Sequence, residues 1–200
     1  MSAAASLRNR RTDSVEELDR NLRAYLSARG DAPSLRARAA ALDWICAHPR
    51  KTQSRLVGML SSRATTAPTA VLAALARIGT ASSVPPMEAL LREGSADTSL
   101  AADQALAAHP SPAAATALRK ALRSRSGPAA VSAARVATRR FDASILPLLE
   151  EALAGKDAEL RFHALRAAVS LGGLTSGKLA EIATGDRDAD VRRLAGELSK

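Results

Sequence analysis

Side chains able to do acid–base, nucleophilic or metal chemistry are sparse in this sequence. It has three histidines and one cysteine. His48 and His109 each precede a proline, the pattern of a polar stop at a helix end, and His163 lies inside a helical pattern. None has a second histidine at i+3 or i+4 or a following glutamate, the spacing that sets two metal ligands on one helix face. Cys46 sits beside Trp44 and Ile45 without a nearby repeat of charge, so it is expected as a small buried hydrophobe and not a nucleophile. Glu150-Glu151 reads as a solvated helix face, and no phosphate-cradling glycine motif occurs. Trp44, Phe141 and Phe162 are expected as core anchors. These observations predict no enzyme, no cofactor and no metal.

What remains is cationic. The 200 residues carry a net charge of +9, with 24 arginines against 5 lysines. Between Asp103 and Asp142 there is no acid, while Arg119, Lys120, Arg123, Arg125, Arg135, Arg139 and Arg140 all fall there. Arg119 and Arg123 are one helical turn apart, as are Arg135 and Arg139, and Arg166 follows Arg135 by 31 residues. Such a group is suited to an anionic ligand, or to keeping an alanine-rich surface soluble. The candidate anion or partner site comprises Arg119, Arg123, Arg135, Arg139, Arg140 and Arg166.

The elements that must hold these arginines follow from an internal repeat of 31 residues. Leu56, Met87, Leu118 and Leu149 form one column, and Leu60, Leu91, Leu122 and Leu153 another, one turn on. They mark a first helix in each unit. Val71, Ala102, Ala133, Ala164 and Ala195, with Ala74, Ala105, Val136, Ala167 and Leu198, mark a second, alanine-lined helix. Ser95, Ser126, Asp157 and Asp188 stand where an N-cap acceptor is needed, and Thr80, Ser111, Asp142 and Gly173 open the first helices. The preceding column, Arg63, Gly94, Arg125, Lys156 and Arg187, suits a helix C-terminus. Gly172-Gly173 is a turn.

Six helical hairpins are predicted, at 15–48, 49–79, 80–109, 110–141, 142–172 and 173–200, as one domain over 15–200. Residues 1–14, with Arg8, Arg10 and Arg11, are expected as a flexible basic arm. The 46 alanines favour helix strongly, and the four aromatics imply thin, closely approached layers. No apolar run nears the roughly 20 residues of a membrane span. A single cysteine excludes an internal disulfide and suits a reducing, cytoplasmic setting.

Asp157-Ala-Glu-Leu-Arg161-Phe-His-Ala164-Leu-Arg-Ala-Ala and Asp188-Ala-Asp-Val-Arg192-Arg-Leu-Ala195 resemble the HEAT-repeat family in its short bacterial form, with a fainter version at Leu35-Arg36-Ala-Arg-Ala-Ala-Ala-Leu42. The resemblance covers about residues 15–200. It implies an all-α, right-handed α-solenoid of about six hairpins, an armadillo-like superhelix whose second helices line a concave face. It also implies that Asp157, Arg161, Asp188 and Arg192 form structural ladders between repeats. The function expected is a non-enzymatic scaffold that binds an acidic protein partner on that face. The alternatives are a nucleic-acid binder using the arginine stripe and, by fold analogy, a bilin-lyase-like chaperone. The His-Glu pairs of the metal-dependent hydroxylase branch are absent from this sequence.

Overall fold

A computed structural model describes the backbone of residues 3–27, 31–62, 65–93, 95–125 and 127–200, with side chains from Val15 onward, Ala96 apart. Twelve α-helices and no strand occur among the described residues. They are α1 (Ala3–Leu26), α2 (Ala32–Ala47), α3 (Pro49–Ser61), α4 (Pro68–Ile78), α5 (Val84–Glu93), α6 (Ala96–Ala108), α7 (Pro112–Arg123), α8 (Pro128–Arg140), α9 (Leu146–Leu153), α10 (Ala158–Ser170), α11 (Ser176–Gly185) and α12 (Ala189–Leu198). Short 3-10 turns, Ala81–Ser83 and Ala143–Ile145, lead into α5 and α9.

Each odd-numbered helix packs on the even-numbered helix that follows it. Packing also runs along two layers: α2, α4, α6, α8, α10 and α12 contact in succession, and so do α3, α5, α7 and α9. The 31-residue columns explain this arrangement. Leu56, Met87, Leu118 and Leu149 are all buried, and Val71, Ala102, Ala133, Ala164 and Ala195 are buried at the equivalent place in five even-numbered helices. Leu60, Leu91 and Leu122 are buried one turn beyond the first column, whereas Leu153 is half-buried. Alanine in the second column lets neighbouring even-numbered helices approach closely, while leucine fills the space between the layers. Leu165, Leu179, Val191 and Ala195 form a smaller separate cluster at the C-terminal end.

The helix ends correct several expectations. Ser95, Asp157 and Asp188 do cap α6, α10 and α12 through their side chains. At α8 the cap is Gly127, with φ 79°, and Ser126 lies outside the described residues, as do Arg63 and Gly94. Ser111 caps α7 and Asp142 caps the turn before α9, but α11 is capped by Thr175, two residues beyond Gly173. A tight turn through Gly172, with φ 72°, delays that helix. At the other end α1 begins at Ala3, so residues 3–14 are helical and continuous with the rest of that helix. The side chains of Arg8, Arg10 and Arg11 lie outside the described residues.

The aromatic residues are divided. Phe141 is buried at the end of α8, and Tyr25, which the sequence did not single out, is buried with its hydroxyl donating to the Ala70 carbonyl at 2.9 Å. Trp44 is half-buried: it stacks on His48 and donates from Nε1 to Glu17, tying α2 to α1. Phe162 and Cys46 are half-buried rather than enclosed.

Candidate functional site

The six candidate arginines separate into three groups. Arg119 and Arg123 lie on α7, in the odd-numbered layer. The Arg119 guanidinium sits 4.6 Å from the centre of the Phe141 ring, a cation–π contact that holds it against the end of α8. Arg123 is exposed in the last turn of α7, where a cation complements the helix dipole.

Arg140 has a structural task. Its Nη1 donates to the His109 carbonyl at 2.6 Å and its Nη2 to the Ser111 carbonyl at 2.9 Å. Both acceptors lie in the loop between α6 and α7, which has no helix of its own to satisfy them. His109 completes this junction. Its ring is fully buried, Nδ1 accepts from the Ser111 N–H at 3.1 Å, and Nε2 lies 2.7 Å from the Ser83 hydroxyl. Accepting at Nδ1 places the proton on Nε2, which donates to Ser83; Ser83 in turn donates to the Thr80 carbonyl at 2.7 Å. Burial, reinforced by the Arg140 charge, holds the His109 pKa below its ordinary value, consistent with a neutral ring.

Arg135, Arg139 and Arg166 come together. They line a cleft of about 270 Å³ between α8 and α10, with Thr138, His163 and Ser170 adding polar groups and Ala134 and Ala167 forming its apolar wall. The register explains the assembly, since Arg135 and Arg166 occupy one repeat column and Arg139 and Ser170 another. Neither Arg139 nor Arg166 makes a hydrogen bond or ion pair with another described residue. His163 reports the local field: burial first, then Arg135 and Arg166, lower its pKa, against an opposing pull from Glu159 at 4.0 Å. A cavity of several like charges with hydroxyls at its rim favours oxyanions, and guanidinium forks suit carboxylate, sulfate and phosphoryl groups alike. Elsewhere, a larger hollow of about 780 Å³ between α1 and α3 mixes Asp19 with Arg23 and Arg55, so its field largely cancels.

Beneath the cleft lies a group that the sequence reading passed over. Asp103 on α6 is fully buried, and its Oδ2 is 3.5 Å from Arg135 Nε. Neither its oxygens nor the buried Ser132 hydroxyl makes a well-formed hydrogen bond among the described residues. Burial raises the carboxyl pKa to about 6, with Ser132 and Arg135 only partly opposing it. The signal was present as an acid in an otherwise apolar column, Leu72, Asp103, Ala134, Leu165.

The Asp–Arg ladder is displaced from the expected residues. Arg161, nearly fully buried, forks onto Asp186 with two bonds of 2.9 Å, and Arg192 donates to the Asp186 carbonyl at 2.6 Å. Asp157 and Asp188 act instead as N-caps. Partial burial raises the Asp186 pKa, but bonds from Arg161 and the Asp188 N–H outweigh it and leave the net value lowered. Among the described residues no group of three His, Cys, Asp or Glu could hold a metal ion, and no helix is long and apolar enough to cross a membrane.

No protein-family model matches the chain, and no curated protein matches it.

Proposed function

We propose that the chain is a HEAT-like interaction module, its hairpins stacked in a right-handed solenoid, and that it acts by binding an acidic protein segment along the layer of even-numbered helices rather than by catalysis. The observation that carries this reading is the convergence of Arg135, Arg139 and Arg166 in one cleft. Arg139 and Arg166 are exposed. Arg119 and Arg140 are occupied by Phe141 and by loop carbonyls, which narrows the binding set. Each exposed arginine paired with a carboxylate contributes about 0.2 to 1 kcal/mol, so three acting together are worth roughly 0.6 to 3 kcal/mol. That is about three- to 150-fold in affinity.

The reading is tested by affinity capture from the host with the full chain and with the triple variant Arg135→Gln, Arg139→Gln, Arg166→Gln, each with and without nuclease. A protein retained after nuclease by the wild type and lost from the triple variant supports it. Capture that depends on the three arginines but vanishes with nuclease replaces the protein partner with nucleic acid. Equal capture by both chains refutes the cleft as the binding site.

A further inference from the structure

Arg135 belongs to two environments at once. Its Nε lies 3.5 Å from the enclosed Asp103 carboxylate, while its side chain is 34% exposed and borders the cleft it shares with Arg139 and Arg166. Asp103 has no exposure at all, sits in a column otherwise held by leucine and alanine, and lacks a well-formed hydrogen bond. A buried carboxylate so poorly satisfied is costly, and Arg135 is the cation that compensates it. An anion entering the cleft would compete for the same guanidinium.

We propose that Asp103 is the internal counter-anion of the cleft, which an external oxyanion replaces on Arg135, so that filling the cleft draws a proton onto Asp103. The inference rests on the cleft being an anion site and assigns it a regulator. With Arg135 engaged by a ligand, the Asp103 carboxylate would face both a nearby negative charge and an apolar enclosure, each favouring its neutral form. Linkage then requires the reverse effect: protonating Asp103 tightens the anion by the same factor as the anion tightens the proton. Because burial already holds this carboxyl at about 6, the exchange falls near neutral pH.

The charges around Asp103 support this assignment. From α8, Ser132 and Arg135 act on it. The other helices packed on α6 carry Arg77 on α4, Glu88, Arg92 and Glu93 on α5, and Arg119, Lys120 and Arg123 on α7, yet Arg135 is the charge that bears on the carboxyl. In the cleft itself His163 also titrates, under the influence of Arg135, Arg166 and Glu159. Its protonation adds a positive charge and so works in the same direction as that of Asp103. The two must be separated experimentally.

The test uses the full chain and a rhodamine-labelled peptide bearing three sulfotyrosines among glycine and serine, whose sulfates stay ionised throughout. Anisotropy is read at constant ionic strength from pH 5.5 to 7.5. Wild type should bind about tenfold more tightly at pH 5.5, one titrating group giving at most tenfold per pH unit. Asp103→Asn should bind at pH 7.5 nearly as tightly as wild type does at pH 5.5, keeping only the smaller slope due to His163. Asp103→Asn combined with His163→Gln should be flat. Asp103→Leu, which installs the residue found at Leu72 and Leu165, should repeat the Asp103→Asn result and provides a second variant, with helical content checked for each. Arginine-dependent binding in which both Asp103 variants keep wild-type affinity and slope would overturn the coupling and leave the cleft intact. Equal binding by the triple arginine variant would overturn the cleft reading and the coupling with it.

Discussion

Arg140 Nη1 donates to the carbonyl of His109 at 2.6 Å, joining two residues 31 positions apart. The bond is an inter-hairpin clasp: the last turn of α8 reaches back to the loop that follows α6, and a second bond to Ser111 fixes its angle. A charge that the sequence offers to a ligand is spent here on backbone acceptors. Arg140→Gln should therefore lower stability by about 1 to 3 kcal/mol, the range for losing hydrogen bonds from a charged donor. Lysine, with a single ammonium and no fork, should restore only part of it. Chemical denaturation would check this, and an unchanged midpoint in the glutamine variant would show that the clasp is energetically idle.

A neighbouring prediction concerns Gly79. A Cβ there would collide with the His109 ring, the Ser83 hydroxyl and the Leu75 backbone carbonyl. The carbonyl belongs to the last turn of α4, so it cannot simply swing aside. Gly79→Ala should destabilise by at least about 1 to 3 kcal/mol, the usual cost of overpacking. Serine at position 83 should be similarly sensitive, because Ser83→Ala removes both the acceptor for Nε2 of His109 and the donor to Thr80. A melting temperature within error of wild type for Gly79→Ala would contradict the packing described for this junction.

Packing between the layers gives a third expectation. Leu122 is 2% exposed, and Leu122→Ala should cost about 2 to 5 kcal/mol. In a chain whose hairpins mainly support their neighbours, loss of amide protection should be greatest in α5 to α10 and should weaken toward both ends. Protection unchanged throughout the variant would count against this view.

Asp103 yields a pH dependence of defined sign. Its carboxyl titrates near 3.8 when unfolded and at about 6 when folded. Between those values the native chain holds a proton that the unfolded chain has released, so wild type loses stability as pH rises through the window, by about 3 kcal/mol for a shift of this size. Asparagine has no proton to lose. Asp103→Asn should thus be the more stable protein at pH 7.5, with its advantage disappearing near pH 4. His109 works oppositely, since its depressed pKa costs stability as pH falls below 6.5, but it does so in both chains and cancels from the difference. A variant less stable than wild type at pH 7.5 would refute the unfavourable burial of Asp103.

Much of this architecture can be read from the columns, because a leucine every 31 residues and an alanine column beside it leave few ways to bury both sets. Periodicity locates helices well but not their ends: Gly127, with a positive φ, occupies the position before α8, and Gly172 delays α11 to Thr175. The site is only half legible. Arg135 and Arg166 share a column and could be paired from spacing, whereas Arg140 is diverted by loop carbonyls whose need for a donor is a three-dimensional fact. Spacing alone also could not set Arg119 on Phe141. Asp103 was visible as an acid in an apolar column, yet charge counted along the chain treats it merely as the boundary of a basic stretch. The ladder fails for a similar reason, since Asp186 lies just outside the matching motif and only the fold brings it to Arg161.

The central claim is that Arg135, Arg139 and Arg166 form an anion-binding cleft, and the most direct measurement is titration of a labelled polyglutamate peptide into the wild type and the triple glutamine variant at low salt and pH 7, with circular dichroism and melting recorded for both. The helical signal should be unchanged, the melting temperature of the triple variant should fall at pH 7 because Arg135→Gln leaves the buried Asp103 carboxylate without its cation, and affinity should drop by about three- to 150-fold. Equal affinity in the two proteins would contradict it and leave the basic charge as a property of the surface alone.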